Sequence, residues 1–237
     1  MREAKKLLEA TKKAVERAAG ISVIVAPPSL YLRELRASYK GKKIAFAAQN
    51  AHAEASGAHT GEISMQQVKD AHASHVIIGH AERRAAGESN DDTRKKISAA
   101  LSAGLTPIFC VGEPKRAESG EYFDFMRDQL RDGLADTLPA KIPRIIIAYE
   151  PVWAIGATVA MSPRDMHEMA IFIRKTVVDL HGSAGHTMKI LYGGSIEEKN
   201  APDMLKYGDV DGLLVGRAST EQTRIALLLG AIDSTNN

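Results

Sequence analysis

The chain has 237 residues, of which 44% are hydrophobic and 25% charged, the composition of an ordinary soluble globular domain. Lys and Arg number 31 against 29 Asp and Glu, so the formal charge of +2 leaves no basic footprint for nucleic acid. No stretch of about 18 apolar residues occurs, which excludes a transmembrane helix, and the single cysteine excludes an internal disulfide or a cysteine-built metal site.

Residues 1–18 read as an amphipathic helix. Ala4, Leu7, Leu8, Ala14, Val15 and Ala18 share one face, with Thr11 in the one apolar place left, and Gly20 stops the helix. The charged start Met1-Arg2-Glu3-Ala4-Lys5-Lys6 lacks the apolar centre of a secretory signal, so the cytoplasm is the expected location. A β-branched run over 21–26 follows, closed by Pro27-Pro28, and reads as a buried strand. The unit then recurs at 44–49, 76–79, 107–112, 145–149, 188–192 and 212–216, each apolar run followed by a helix-like stretch. Near-continuous apolar strands are buried on both faces, and their alternation with helices predicts a parallel sheet in a single α/β domain over 1–237. Seven strands fit an open doubly wound sheet directly, whereas a closed (β/α)8 barrel needs eight; periodicity alone leaves both open. Residues 50–64 form a polar connection without periodicity, either a surface loop or an arm that docks on a partner.

In either parallel architecture the site lies beyond the carboxyl ends of the strands. Glu150 follows one apolar run directly, and burial there makes a carboxylate a better general base. Alone, it also fits a salt-bridged strand end. His80 ends another strand just before a predicted helix, where a helix N-terminus favours the neutral imidazole and a hydrogen bond to a carbonyl oxygen. Alone, it also fits a core or surface histidine. Gly193-Gly194-Ser195 and Gly216-Arg217 are glycine-bearing turns on consecutive strands; they suit a phosphate or are ordinary tight turns. Neither common nucleotide-loop motif occurs. Pro151-Val152-Trp153-Ala154-Ile155-Gly156 sets an apolar tip beside Glu150, as a lid that excludes water would. His72 and His75 stand three apart without a third metal ligand. Cys110 reads as a small buried hydrophobe.

In this order these segments resemble the triosephosphate isomerase family over nearly the whole chain. The resemblance rests on Ala48-Gln49-Asn50, residues 57–64, Gly79-His80-Ala81-Glu82-Arg83-Arg84, Cys110-Val111-Gly112-Glu113, Tyr149-Glu150-Pro151-Val152-Trp153-Ala154-Ile155-Gly156, Tyr192-Gly193-Gly194-Ser195 and residues 209–216. It favours a TIM (β/α)8 barrel, and it implies interconversion of dihydroxyacetone phosphate and glyceraldehyde 3-phosphate through an enediolate, without metal or cofactor. By resemblance Glu150 is the proton-shuttling base, His80 the neutral electrophile and Glu82 a supporting carboxylate. Residues 151–160 match the lid and Tyr192 the residue that latches it. Gly156, Ser195 and Gly216 match phosphate-binding positions, with Arg217 beside them. The 50–64 arm, with Thr60, Gly61 and Glu62 near its tip, matches a loop that reaches a second subunit, so the resemblance implies a homodimer, with no nucleic-acid or membrane role.

The chain departs from the family at several places. The family's first strand, with its catalytic-site Asn and Lys, is not found, so the resemblance is to a barrel lacking its first β-strand, and Lys5 and Lys6 lie on the wrong element to replace the lysine. A homologue that binds phosphate without turnover is therefore the competing expectation; another phosphate-binding barrel enzyme would not be expected to carry the lid segment. The lid ends Ala157-Thr158-Val159-Ala160-Met161, where the family has Thr-Gly-Lys-Thr-Ala, and Arg217 stands where the family has a second glycine.

Overall fold

The computed structural model describes residues 1–18, 20–117, 119–156 and 160–234. Its framework is α1 (Arg2–Arg17), β1 (Val23–Val25), α2 (Ser29–Ser38), β2 (Ile44–Ala48), α3 (Met65–Asp70), β3 (His75–Ile78), α4 (Ala81–Ala85), α5 (Asn90–Ser102), β4 (Thr106–Val111), α6 (Glu121–Leu134), β5 (Ile146–Tyr149), α7 (Pro163–His181), β6 (Lys189–Tyr192), α8 (Ala201–Tyr207), β7 (Gly212–Leu213) and α9 (Gln222–Asp233). The strands form one sheet in chain order, every neighbouring pair parallel. The sheet curls as in a TIM barrel, with helices around it.

Alternation along the strands builds two cores. Ile77, Ile108, Cys110 and Ala148 cluster with Ile24, Ile146, Leu191 and Leu214 on the sheet's inner face. The intervening Val76, Ile78, Phe109, Val111, Ile147, Tyr149 and Tyr192 face outward, in the core that includes Ile97, Leu130 and Ile173 of the helices. Each fully buried Ile, Leu or Phe contributes about 1.5–3 kcal/mol. Thr11 joins α1's buried face because its hydroxyl donates to the Leu7 carbonyl at 2.9 Å, a bond that satisfies it inside the helix. The helix ends before Gly20, where the Lys43 ammonium takes the Val15 and Ala18 carbonyls at 3.0 and 2.9 Å.

The end strands are shorter than the apolar runs 21–26 and 212–216 predict. Among the described residues β1 pairs only with β2 and β7 only with β6, so each has a ladder on one side alone. Outside this seam α1 packs against α9. Lys5 and Lys6, on α1, are held by Glu34 at 2.6 Å and Glu3 at 3.1 Å.

The 50–64 connection is locally ordered. His52 N–H donates to the Ile63 carbonyl at 2.7 Å, and Ser64 and Gln67 form a capping box that starts α3. The rings of His52 and His59 lie 3.9 Å apart, while residues 54–62, including Thr60, Gly61 and Glu62, stand exposed. At the arm's base the buried Lys96 donates to Asn50 Oδ1 at 2.8 Å and to Glu88 at 2.7 Å.

Candidate active site

The carboxyl ends of β3, β4, β5 and β6 converge on Glu150. Its side chain is nearly buried, its N–H donates to the Val111 carbonyl of β4, and Gly193 N–H donates to the Tyr149 carbonyl just before it. Two glycines make room for it. A Cβ on Gly112 would lie 1.8 Å from the Glu150 carbonyl oxygen, and one on Gly193 would lie 2.9 Å from Glu150 Cγ. No larger residue fits either place without displacing the acid.

Glu150 is compensated by two donors. His80 Nε2 lies 3.1 Å from Oε1, and Ala81 N–H donates to Oε2 at 3.0 Å. The other imidazole nitrogen, Nδ1, caps α4 by accepting Glu82 N–H at 3.3 Å. That acceptor role requires the tautomer with its proton on Nε2. The neutral form predicted for His80 is opposed by its partner: the hydrogen bond to Glu150 raises the imidazole above its ordinary value, against the lowering effect of burial. The sequence did not reveal this contact, because the two residues are 70 positions apart. Protonation of Nδ1 would break the cap with Glu82 N–H, so the two interactions pull the same ring in opposite directions.

Glu82 itself reaches the site only through His80, 4.0 Å away, with its side chain 91% exposed. Arg84 lies beneath the site, donating to the Gly79 carbonyl at 2.9 Å and the Cys110 carbonyl at 3.3 Å, and so ties β3 to β4. Cys110 is fully buried; burial, with the Glu150 carboxylate beside it, pushes its thiol well above the usual range and keeps it protonated.

Glu113 had no assigned role in the sequence, although it follows an apolar strand as Glu150 does. It is fully buried, and its Oε1 accepts the Tyr149 hydroxyl at 2.9 Å and the Trp153 indole N–H at 2.7 Å. Its Oε2 has no partner among the described residues. Burial first, then Glu113, hold the Tyr149 phenol far above its ordinary value, so it remains a donor. Trp153 lies in a 3-10 turn over Val152–Ala154, so the apolar tip is pinned by one polar atom while Val152 and Ile155 stay partly exposed. The lid segment continues through Gly156 at φ +70°; residues 157–159 lie outside the described residues. Beyond them Met161 N–H donates to the buried Tyr192 hydroxyl at 3.3 Å, where the latch is expected.

The two glycine turns lie side by side. Tyr192 is in register with Leu213, so Ser195 and Gly216 each stand three residues past a paired position. A short 3-10 turn over Arg217–Thr220 follows Gly216. The Ser219 N–H and hydroxyl both donate to the Gly216 carbonyl, and the Thr220 hydroxyl to the Arg217 carbonyl. The N–H groups of Gly216 and Arg217 and the Ser195 hydroxyl find no acceptor among the described residues. Open space surrounds Gly216. Such a set of donors, beside a buried carboxylate and an imidazole, suits a small anionic substrate that exchanges a proton.

A family model described as triosephosphate isomerase matches residues 1–232. The chain is 42% identical over 221 residues to the triosephosphate isomerase of Endomicrobium trichonymphae, covering 92% of this chain and 88% of that one. It is also 42% identical over 220 residues to that of Roseiflexus sp. (strain RS-1), covering 92% and 87%. The crystal structure of triosephosphate isomerase from Bartonella henselae superposes with a TM-score of 0.86 at 33% identity, covering 98% of this chain and 93% of that one.

Proposed function

The chain belongs to the triosephosphate isomerase family, and from that premise we propose how its residues interconvert dihydroxyacetone phosphate and glyceraldehyde 3-phosphate. Glu150 takes the proton from the carbon next to the carbonyl and returns it to the neighbouring carbon. The 3.1 Å contact between His80 Nε2 and Glu150 Oε1 carries this reading, because it sets a hydrogen-bond donor against the base at one point. Substrate has to part the pair. His80 then gives its Nε2 proton to the carbonyl oxygen, where charge develops, and takes back the proton of the neighbouring hydroxyl as that oxygen becomes the new carbonyl, while the freed carboxylate faces the carbon. Ala81 N–H keeps one carboxylate oxygen oriented meanwhile. Glu82 acts through its backbone, which fixes the imidazole tautomer.

Gly156, Ser195 and Gly216 hold the phosphate, on the donors that the protein leaves unused. The lid folds over the substrate and Tyr192 latches its far end, supported by the Met161 N–H bond. The exposed arm around Thr60, Gly61 and Glu62 enters a second copy, making a homodimer of single-domain subunits in the cytoplasm. Among the described residues no helix is long and apolar enough to cross a membrane.

Exchange of Glu150 for Gln tests the assignment. The amide cannot take the proton, and turnover in a coupled assay should fall by about 10²–10⁴ or more. Unchanged turnover would remove Glu150 from the role.

A further inference from the structure

We propose that the guanidinium of Arg217 is the cation that selects a dianionic substrate, a role that rests on the phosphate site proposed above. The backbone donors of that site carry no net charge. Acids at these strand ends oppose a dianion: Glu150 and Glu113 are buried there, and Glu197, two residues past Ser195, occupies Arg224 at 3.3 Å. The cation beneath the site is spent, since Arg84 directs its nitrogens at the Gly79 carbonyl, Asn90 Oδ1 and the Cys110 carbonyl. Arg217 is different. It is exposed on the turn after β7, and its side chain makes no hydrogen bond or ion pair among the described residues. Its own carbonyl accepts from the Thr220 hydroxyl and that of Gly216 from the Ser219 hydroxyl and N–H, which reduces their repulsion of an anion. Register sets this turn against Ser195, with open space at Gly216. A planar fork of donors on a flexible stem can close on two phosphate oxygens, which a glycine at this position cannot do.

Binding of 2-phosphoglycolate and of inorganic phosphate, by titration calorimetry at several salt concentrations, tests the assignment in the whole chain. Arg217→Gln should weaken 2-phosphoglycolate about ten- to hundredfold and flatten the salt dependence. Arg217→Lys should recover part of the loss. In turnover of glyceraldehyde 3-phosphate, Arg217→Gln should raise KM more than it lowers kcat. Lys115→Gln, which removes an exposed cation from the loop after β4, should leave every value within about twofold. Equal affinity and salt slope in wild type and Arg217→Gln would overturn the assignment, as would an equal loss in Lys115→Gln. A wild-type chain that binds neither anion would overturn the phosphate site as well, which separates the two failures.

Discussion

His80 Nε2 and Glu150 Oε1 lie 3.1 Å apart, so the electrophile and the base proposed for one reaction neutralise each other until substrate arrives. The hydrogen bond to Glu150 raises the imidazole above 6.5. The contact therefore stabilises the fold fully below the ordinary imidazole value, and that contribution is lost as pH rises through the raised one. Activity runs the other way. Below the raised value an imidazolium holds the carboxylate, and the base is less free. We expect kcat/KM to fall on acidification with a midpoint above 6.5, and His80→Gln to remove that limb while lowering the rate about 10²–10³-fold. A profile flat from pH 6 to 8 in the wild type would contradict the pairing.

Gly193→Ala should separate catalysis from folding. Its Cβ would press on Glu150 Cγ at 2.9 Å, so kcat should drop while the melting temperature changes little. Gly112→Ala presses on backbone instead, at 1.8 Å from the Glu150 carbonyl oxygen, and should cost at least about 1–3 kcal/mol in urea unfolding. Equal behaviour of the two variants would count against the distinction.

Trp153→Phe removes one of the two donors on the buried Glu113 oxygen. A buried acceptor left less satisfied costs about 1–3 kcal/mol, measurable by urea unfolding. Since Tyr149 donates to the same atom, Tyr149→Phe and Trp153→Phe together should cost more than their sum. Strict additivity would show that the two bonds are independent.

The ion pair at the arm's base offers a test of position. Lys96 and Glu88 are both nearly buried and lie 2.7 Å apart. Lys96→Met leaves the buried carboxylate only Arg83, 3.8 Å away, and should destabilise by about 3–5 kcal/mol, whereas Lys96→Met with Glu88→Leu should recover part of that loss. The double variant lacks the bond to Asn50 Oδ1, so in sedimentation the homodimer proposed above should shift toward monomer; an unchanged state would separate the arm's base from the interface. A double variant less stable than the single one would mean that Glu88 contributes more through Arg83 than through Lys96.

Legibility followed the range of the interaction. The strand runs, the helix face from Leu8 to Val15 and the parallel order follow from apolar periodicity, which is local, although β1 and β7 came out shorter because each pairs on one side only. The site residues Glu150, His80, Ser195 and Gly216 could be placed at strand ends, because a parallel sheet puts all such ends on one face. Their pairing could not. The contact of His80 with Glu150 joins β3 to β5, and that of Trp153 with Glu113 joins β5 to β4, and neither spacing has a sequence signature. Glu113 carried the same signal as Glu150, an acid directly past an apolar strand, and was legible in retrospect.

The seam between β1 and β7 also sets an order of disassembly. Strands with a ladder on both sides exchange their amide protons slowly, and the end strands should exchange first, with α1 and α9 peeling apart beside them. Glu150 follows β5, well inside the ladder, so the proton-transferring half of the site stays assembled while the seam opens. Gly216 and Arg217 follow β7, at the seam itself. An anion held there binds only the ordered turn after β7, and by mass action it should slow exchange in β7 and α9. Ligand occupancy would then be legible as protection that spreads from the Gly216 turn into the edge strand β7 and into α9.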